Sequence, residues 1–410
     1  MALSADAAPR GIDLGDPAFW RLSAQARAAA FARLRERSGP VGFTDRATGR
    51  RCWALVRHAD VTPVSRSPEV YLSGPGATAP EPARWVRAVF GDSMADLDDP
   101  RHADLRRVVG RAFTPRLIAE VERDIRRTAV ELVDRLERER PTDFVGSVAA
   151  ELPYRVVCTM MGIPPEQRRR ILARTDRAAA PAGVARRGLR VPGGGLRVLT
   201  ATQLAVAALG RERRRRPTGD LVSALVAADV DGRRLNSREL GAFFSLLLVA
   251  GVETTRNALA HGLHLLTAHP EQRALLLGDL DAHLGGAVEE IVRYSTPIVQ
   301  FRRTVAVDHR LSGIRLAAGD KVVLFYGSAN RDEAVFRDPD AFDVTRSPNP
   351  HLGFGGGGPH FCLGAHLARR QMRTMLRELF TRLPEIRSTA APETVPSSSG
   401  HRVRALPFTF

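Results

Sequence analysis

The chain has 410 residues, 44% of them hydrophobic and 26% charged, a balance that excludes disordered and fibrous classes and supports a large core. Its formal charge of +16 rests almost wholly on arginine, since Lys321 is the only lysine. The arginines lie along helical stretches beside acids, with one dense run at 211–216 and no interleaved aromatics, which disfavours a nucleic-acid face. Cys52, Cys158 and Cys362 are widely spaced and odd in number, without a C-x-x-C pair, which argues against a disulfide framework and for a reducing compartment.

Residues 1–16 show no apolar signal core, and no stretch approaches the ~20 apolar residues that span a bilayer, so a cytoplasmic protein without a membrane partner is expected. Asp16-Pro17 predicts a helix to about Arg37, stopped by Ser38-Gly39-Pro40. Extended runs at 41–45 and 52–56 flank Thr48-Gly49 and predict a hairpin. Residues 65–98, rich in Gly, Pro, Ser and Ala, read as a long irregular segment covering a binding site, with 181–195 as a second such loop. Between them the pattern is helical from Asp99, and nothing repeats at a fixed period.

Asp231-Gly232 reads as a turn between short extended pieces. A helix should begin at Asn236, with Glu239 as its capping-box partner, and run to His269-Pro270, roughly 45 Å at 1.5 Å per residue. Shorter helices near 271–277 and 281–294 precede extended segments near 301–307, 314–317 and 321–325. The predicted class is mainly α with a smaller β portion: strands in about 41–57, 301–325 and 386–410, helices in about 99–295 and 362–383, all within one domain over 1–410.

Four stretches carry chemistry. The first runs His351-Leu-Gly-Phe354, Gly355 to Gly358, Pro359-His360-Phe361-Cys362, then Leu-Gly364. The glycines permit positive φ and leave room for a bulky flat ligand. Cys362 should open a helix, whose unpaired N–H groups favour the thiolate that ligates metals. In the second, Ala250-Gly251-Val252-Glu253-Thr254-Thr255, a mid-helix glycine and threonine hydroxyls weaken the ladder and permit a local bulge. Glu253 and Thr254 there form an acid–alcohol pair able to deliver protons. Third, Glu290 and Arg293 are spaced to meet on one helix face. Fourth, His102 and Arg106 stand four apart on another helix, and Arg303 follows the Glu290 segment. Guanidinium groups there suit carboxylates.

Together these stretches resemble the cytochromes P450, over nearly the whole chain and most firmly from about 95 to 385. The resemblance implies that fold, with a long central helix over heme b and the cysteine loop on the opposite side. Cys362 would be the axial iron ligand. Phe354 stands eight residues before the cysteine, where many members have seven, an extra glycine that some bacterial branches carry. His102, Arg106, Arg303 and His360 take propionate-binding positions, with Ala250, Gly251, Gly355 and Gly364 also against the heme. Glu253 and Thr254 match the oxygen-side motif. Glu290 and Arg293 match the E-x-x-R pair that locks the loop; Ala341 stands where many relatives carry the third member, and Arg346 is the candidate substitute.

The implied activity is a bacterial heme-thiolate monooxygenase, using O₂ and electrons from a ferredoxin and its reductase. It would hydroxylate or otherwise oxidise an apolar small molecule, in secondary metabolism or in lipid or steroid oxidation. Val249, Ala250, Ile298 and Val299 are expected to line the substrate pocket, and a monomer is expected. Two alternatives stand beside this. One is a heme-thiolate enzyme performing desaturation, epoxidation or ring coupling, or using peroxide. The other is a basic binding protein, with His360 and Cys362 in a structural metal site.

Overall fold

The computed structural model describes residues 11–46, 48–78, 92–164, 166, 168, 204, 206–230, 233–398 and 400–410. The predicted loop 181–195 and the turn at 231–232 fall outside the described residues. The chain divides into two compact units, each assembled from separate stretches of sequence. One holds the described residues up to 78, Ala129–Ala150 and Thr254–Phe410; the other holds those from 92 to Thr128 and from Glu151 to Glu253.

The first unit is built on a five-stranded sheet. Its strands are β1 (Val41–Asp45), β2 (Arg50–Leu55), β3 (Tyr71–Leu72), β4 (Gln300–Val305) and β5 (Lys321–Phe325). Their order is β1-β2-β5-β4-β3, antiparallel except where β2 runs parallel to β5. The β1–β2 hairpin turns at the expected place, with Gly49 at φ 69° and its N–H on the Asp45 carbonyl at 2.7 Å. On one side of the sheet Phe325 meets Trp20 and Phe31 at 6.1 and 5.2 Å between ring centroids. The helix supplying Phe31, Ala24–Arg35, starts later than Asp16-Pro17 suggested. The Ser23 hydroxyl accepts from the Ala26 N–H at 3.1 Å, so the nearer serine caps it. The strand Tyr71–Leu72 likewise interrupts the stretch read as irregular.

Thr254–Ala268 packs against Leu280–Ser295 in the same unit. Gly262 makes that approach possible, since a Cβ there would lie 3.0 Å from the Ile291 side chain. The Asp279 carboxylate caps Leu280–Ser295 at its start, and Thr296 ends it at φ 38°. Beyond the cysteine loop, Ala365–Arg382 packs on the same helix.

The second unit is mostly helical and includes Arg101–Ala112, Glu151–Met160, Leu221–Ala227 and Ser237–Leu248. The last has the expected capping box: Asn236 accepts from the backbone at Glu239, and the Glu239 carboxylate accepts from the Asn236 N–H. The arginine run is partly internal. Arg213 is buried, pairs with Asp220 at 2.5 Å and donates to the Gly162 carbonyl. At least this arginine has a structural task rather than a surface for nucleic acid.

Candidate active site

In the first unit, the loop before Cys362 turns on Gly355, Gly357 and Gly358, at φ 99°, 89° and 75°. Space decides what three of the four glycines do. A Cβ would meet the Ser65 hydroxyl at 2.5 Å from position 356, Arg66 Nε at 2.9 Å from 357, and the Ser65 carbonyl at 2.3 Å from 358. Arg66 Nε also donates to the Gly356 carbonyl at 3.1 Å. These three glycines therefore seat the loop on the helix His58–Arg66. Only at Gly355 are the nearest atoms at ordinary contact, 3.7 Å and beyond, so the room expected for a flat ligand narrows to that residue.

Cys362 is accessible, and its N–H donates to the Phe354 carbonyl at 2.9 Å. It precedes the helix rather than opening it: Gly364 is the N-cap and Ala365 the first helical residue. The Ala365 N–H still reaches the Cys362 carbonyl at 3.3 Å. Cys52 and Cys158 are buried, and burial pushes the Cys158 thiol up to about 11, which leaves Cys362 as the thiol suited to a ligand.

Strand alternation separates the paired arginines of β4. Arg302 pairs with Asp45 at 2.7 Å, both groups nearly buried. Arg303 is 5% exposed, yet among the described residues its side chain bonds only the Arg302 carbonyl and has no acid partner. Such a buried cation suits a carboxylate ligand. His360 Nε2 lies 3.0 Å from the Ser73 hydroxyl.

Glu290 and Arg293 are fully buried and meet through two bonds of 2.7 Å. Arg293 also donates to the carbonyls of Asn330, Pro339 and Ala341. Arg346 Nε lies 3.3 Å from Glu290, and its other nitrogens take the carbonyls of Arg337, Asp338 and Ala341. The guanidinium absent at Ala341 thus comes from five residues later. Asn349 and the Asp343 N–H complete the shell around Glu290. Asn330, which takes the Leu352 N–H and donates to Thr296, links this network to the cysteine loop.

In the second unit, His102 is 2% exposed, and burial pushes its pKa below the usual value against the opposing pull of Asp99. Arg106 follows one turn later on the same helix. The bulge expected near Gly251 is a π-helical turn, Val249–Glu253, directly after Ser237–Leu248. Gly251 accommodates Val157, which a Cβ would meet at 3.0 Å. No residue of the turn is buried, and Val249 is 62% exposed, so the bulge offers an apolar surface. Thr254 begins the next helix, one residue after Glu253.

One pocket expectation needs correction. Val299 is 3% exposed and sits in the core with Trp20, Phe31 and Phe325, where it cannot line a pocket. Ile298 forms a bridge with Gly400. Sequence reasoning also missed Glu289, His351 and Arg369, which meet near Phe354; the Glu289-Glu290 doublet was the available signal.

The heme implied by the sequence fits what the first unit presents: an accessible thiol in a glycine loop and a buried arginine without an acid partner among the described residues. Among the described residues no cluster of three or more His, Cys, Asp or Glu could hold a metal. Nor is any described helix long and apolar enough to cross a membrane.

Comparison with known proteins agrees with this geometry. The family model described as Cytochrome P450 matches residues 207–384. The methyl-branched lipid omega-hydroxylase of Mycobacterium tuberculosis is 44% identical, across 98% of this chain and 95% of that protein. The steroid C26-monooxygenase of Mycolicibacterium smegmatis is 34% identical, across 88% and 82%. Among solved structures, a Mycobacterium marinum cytochrome P450 in complex with pseudoionone superposes with a TM-score of 0.89 at 42% identity, covering 98% of this chain and 100% of that one. With a thiol loop, a buried E-x-x-R pair and relatives this similar over their whole length, this chain belongs to the cytochrome P450 family.

Proposed function

We propose that this P450 monooxygenase oxidises an apolar lipid, a branched hydrocarbon chain or a steroid side chain, near its terminus. The observation that carries the reading is the exposed apolar start of the π turn, Val249 and Ala250, whose last residue is Glu253. Its relatives act on such molecules by name, as methyl-branched lipid and steroid C26 hydroxylases. Cys362 would hold the heme through its thiolate, Arg303, His360, His102 and Arg106 would bind the propionates, and Phe354, Gly355, Ala250, Gly251 and Gly364 would pack against the ring. Heme b supplies the activation of O₂, with thiolate donation favouring scission of the O–O bond. Val249 and Ala250 present apolar surface that orients the substrate and excludes water. Thr254 Oγ1 would hold a proton on the oxygen side of the heme, and the Glu253 carboxyl would resupply it. Electrons come from a ferredoxin and its reductase.

Two measurements test this. Reduced, CO-treated protein should show the strongly red-shifted Soret band of a thiolate-ligated heme, and branched fatty acids or sterols should shift the ferric spin state. A panel in which neither lipid class shifts the spectrum, while other apolar molecules do, would overturn the substrate assignment. Thr254→Ala should divert electrons to peroxide; unchanged coupling removes Thr254 from the proton path.

A further inference from the structure

Adjacent carboxylates on Leu280–Ser295 hold different things. Glu290 secures the 330–346 segment, as described. Glu289 lies one residue, or about 100°, around the helix and engages two other groups. Arg369, on Ala365–Arg382, grips it with two bonds of 2.7 and 2.8 Å. His351 Nε2 lies 3.0 Å from the same carboxylate. His351 Nδ1 takes the Gly353 N–H at 3.1 Å, so Nε2 carries the proton and donates to Glu289. Although burial pushes the Glu289 carboxyl up, the bonds from His351 and Arg369 hold it down to about 2, and it stays ionised.

Both partners of Glu289 touch one ring. The Arg369 guanidinium lies over Phe354, 4.3 Å from the ring centroid, and the His351 imidazole is 5.8 Å from it, tilted by 47°. Phe354 is also the residue whose carbonyl accepts the Cys362 N–H. The chain of contact therefore runs from one carboxylate, through a guanidinium and an imidazole, to an aromatic ring and the cysteine backbone.

We propose that Glu289, His351 and Arg369 are positioning residues that clamp Phe354 and thereby hold Cys362 in the conformation that ligates iron. This rests on the assignment of Cys362 as the heme ligand. Arg369 suits the task better than lysine, because a planar guanidinium can lie flat on a ring while bonding a carboxylate edge-on.

The test uses the heme-loaded full chain. The rate at which the thiolate-type ferrous–CO band converts to the displaced band in mild denaturant is measured for wild type, Arg369→Ala, Arg369→Lys and Glu289→Gln. Hydrogen exchange of the 353–362 amides is followed in parallel. Arg369→Ala should speed both by about fivefold while exchange in the 365–382 helix stays unchanged. Glu289→Gln, which conserves shape, should shift both readouts the same way, and Arg369→Lys should not restore wild-type rates. Arg377→Ala is the control, because Arg377 and Asp281 join the same two helices through an exposed pair at 2.6 Å, remote in sequence from Phe354. It should leave both readouts at wild-type values. A wild-type protein without the thiolate band overturns the ligand assignment itself. A normal wild-type band with Arg369→Ala and Glu289→Gln indistinguishable from it overturns the clamp, as does full rescue by lysine.

Discussion

Acidification should unfold this protein through two histidines remote in sequence from the cysteine loop. His261 lies on Thr254–Ala268 and places Nε2 3.3 Å from the His401 carbonyl. His401 places Nδ1 2.7 Å from the Ser295 carbonyl, with the two rings 6.3 Å apart. Each ring must carry its proton on the nitrogen facing the carbonyl, so a second proton would have to go to the other nitrogen of a half-buried ring. Burial pushes both groups down to about 4, aided at His261 by His401 and His264 and at His401 by Arg27 and Arg331. The sign follows from proton uptake. Unfolded histidine titrates near 6.5 and folded near 4, so the unfolded chain binds more protons between these values and stability falls as pH drops through the window. From about pH 7.5 to about pH 5 each histidine should remove about 2 kcal/mol, or about 4 kcal/mol for the pair. Urea unfolding at a series of pH values measures the slope. The double variant His261→Gln, His401→Gln retains amide donors for both carbonyls but cannot titrate, and should lose most of that dependence. A double variant as acid-sensitive as wild type would falsify the assignment.

Arg293→Ala should cost about 3–5 kcal/mol in urea unfolding, since it strips a buried carboxylate of its main partner. Arg346→Ala, bonded largely to carbonyls at the rim, should cost about 1 kcal/mol; equal losses would contradict the ranking. Gly358→Ala adds a Cβ at 2.3 Å from the Ser65 carbonyl with φ at 75°, which should lower stability by about 1–3 kcal/mol and hasten heme loss. In the heme-free chain Gly364→Ala has open space and negative φ, and should fall within about 0.5 kcal/mol of wild type in thermal unfolding. Arg303→Leu should weaken heme retention in transfer to apomyoglobin while leaving urea stability nearly unchanged. Arg302→Leu should do the reverse, costing about 3 kcal/mol by taking the cation from buried Asp45.

The features legible in the sequence are those fixed by neighbours. The Asn236–Glu239 capping box, the hairpin turn at Gly49 and the bulge around Gly251 depend on residues a few positions apart, and each formed where the local chemistry placed it. The helix predicted from Asp16 began instead at Ser23, because several nearby residues can cap and sequence does not rank them. The substitution of Arg346 for a guanidinium at 341 was readable as a candidate; that its fork also reaches three carbonyls was not.

What the sequence alone determined, then, is chemical type: a thiol after a glycine loop, an acid–alcohol pair at a weakened helix turn, and arginines suited to carboxylates. Only the tertiary structure decided which arginine is committed to an acid, since strand alternation turns Arg302 to Asp45 and leaves Arg303 without an acid among the described residues. It likewise placed Val299 in the core rather than a pocket, and gave three of the four loop glycines to Ser65 and Arg66, some 290 residues earlier in the chain. Burial and close approach are properties of distant segments brought together by packing, and residue order along a chain does not specify them locally.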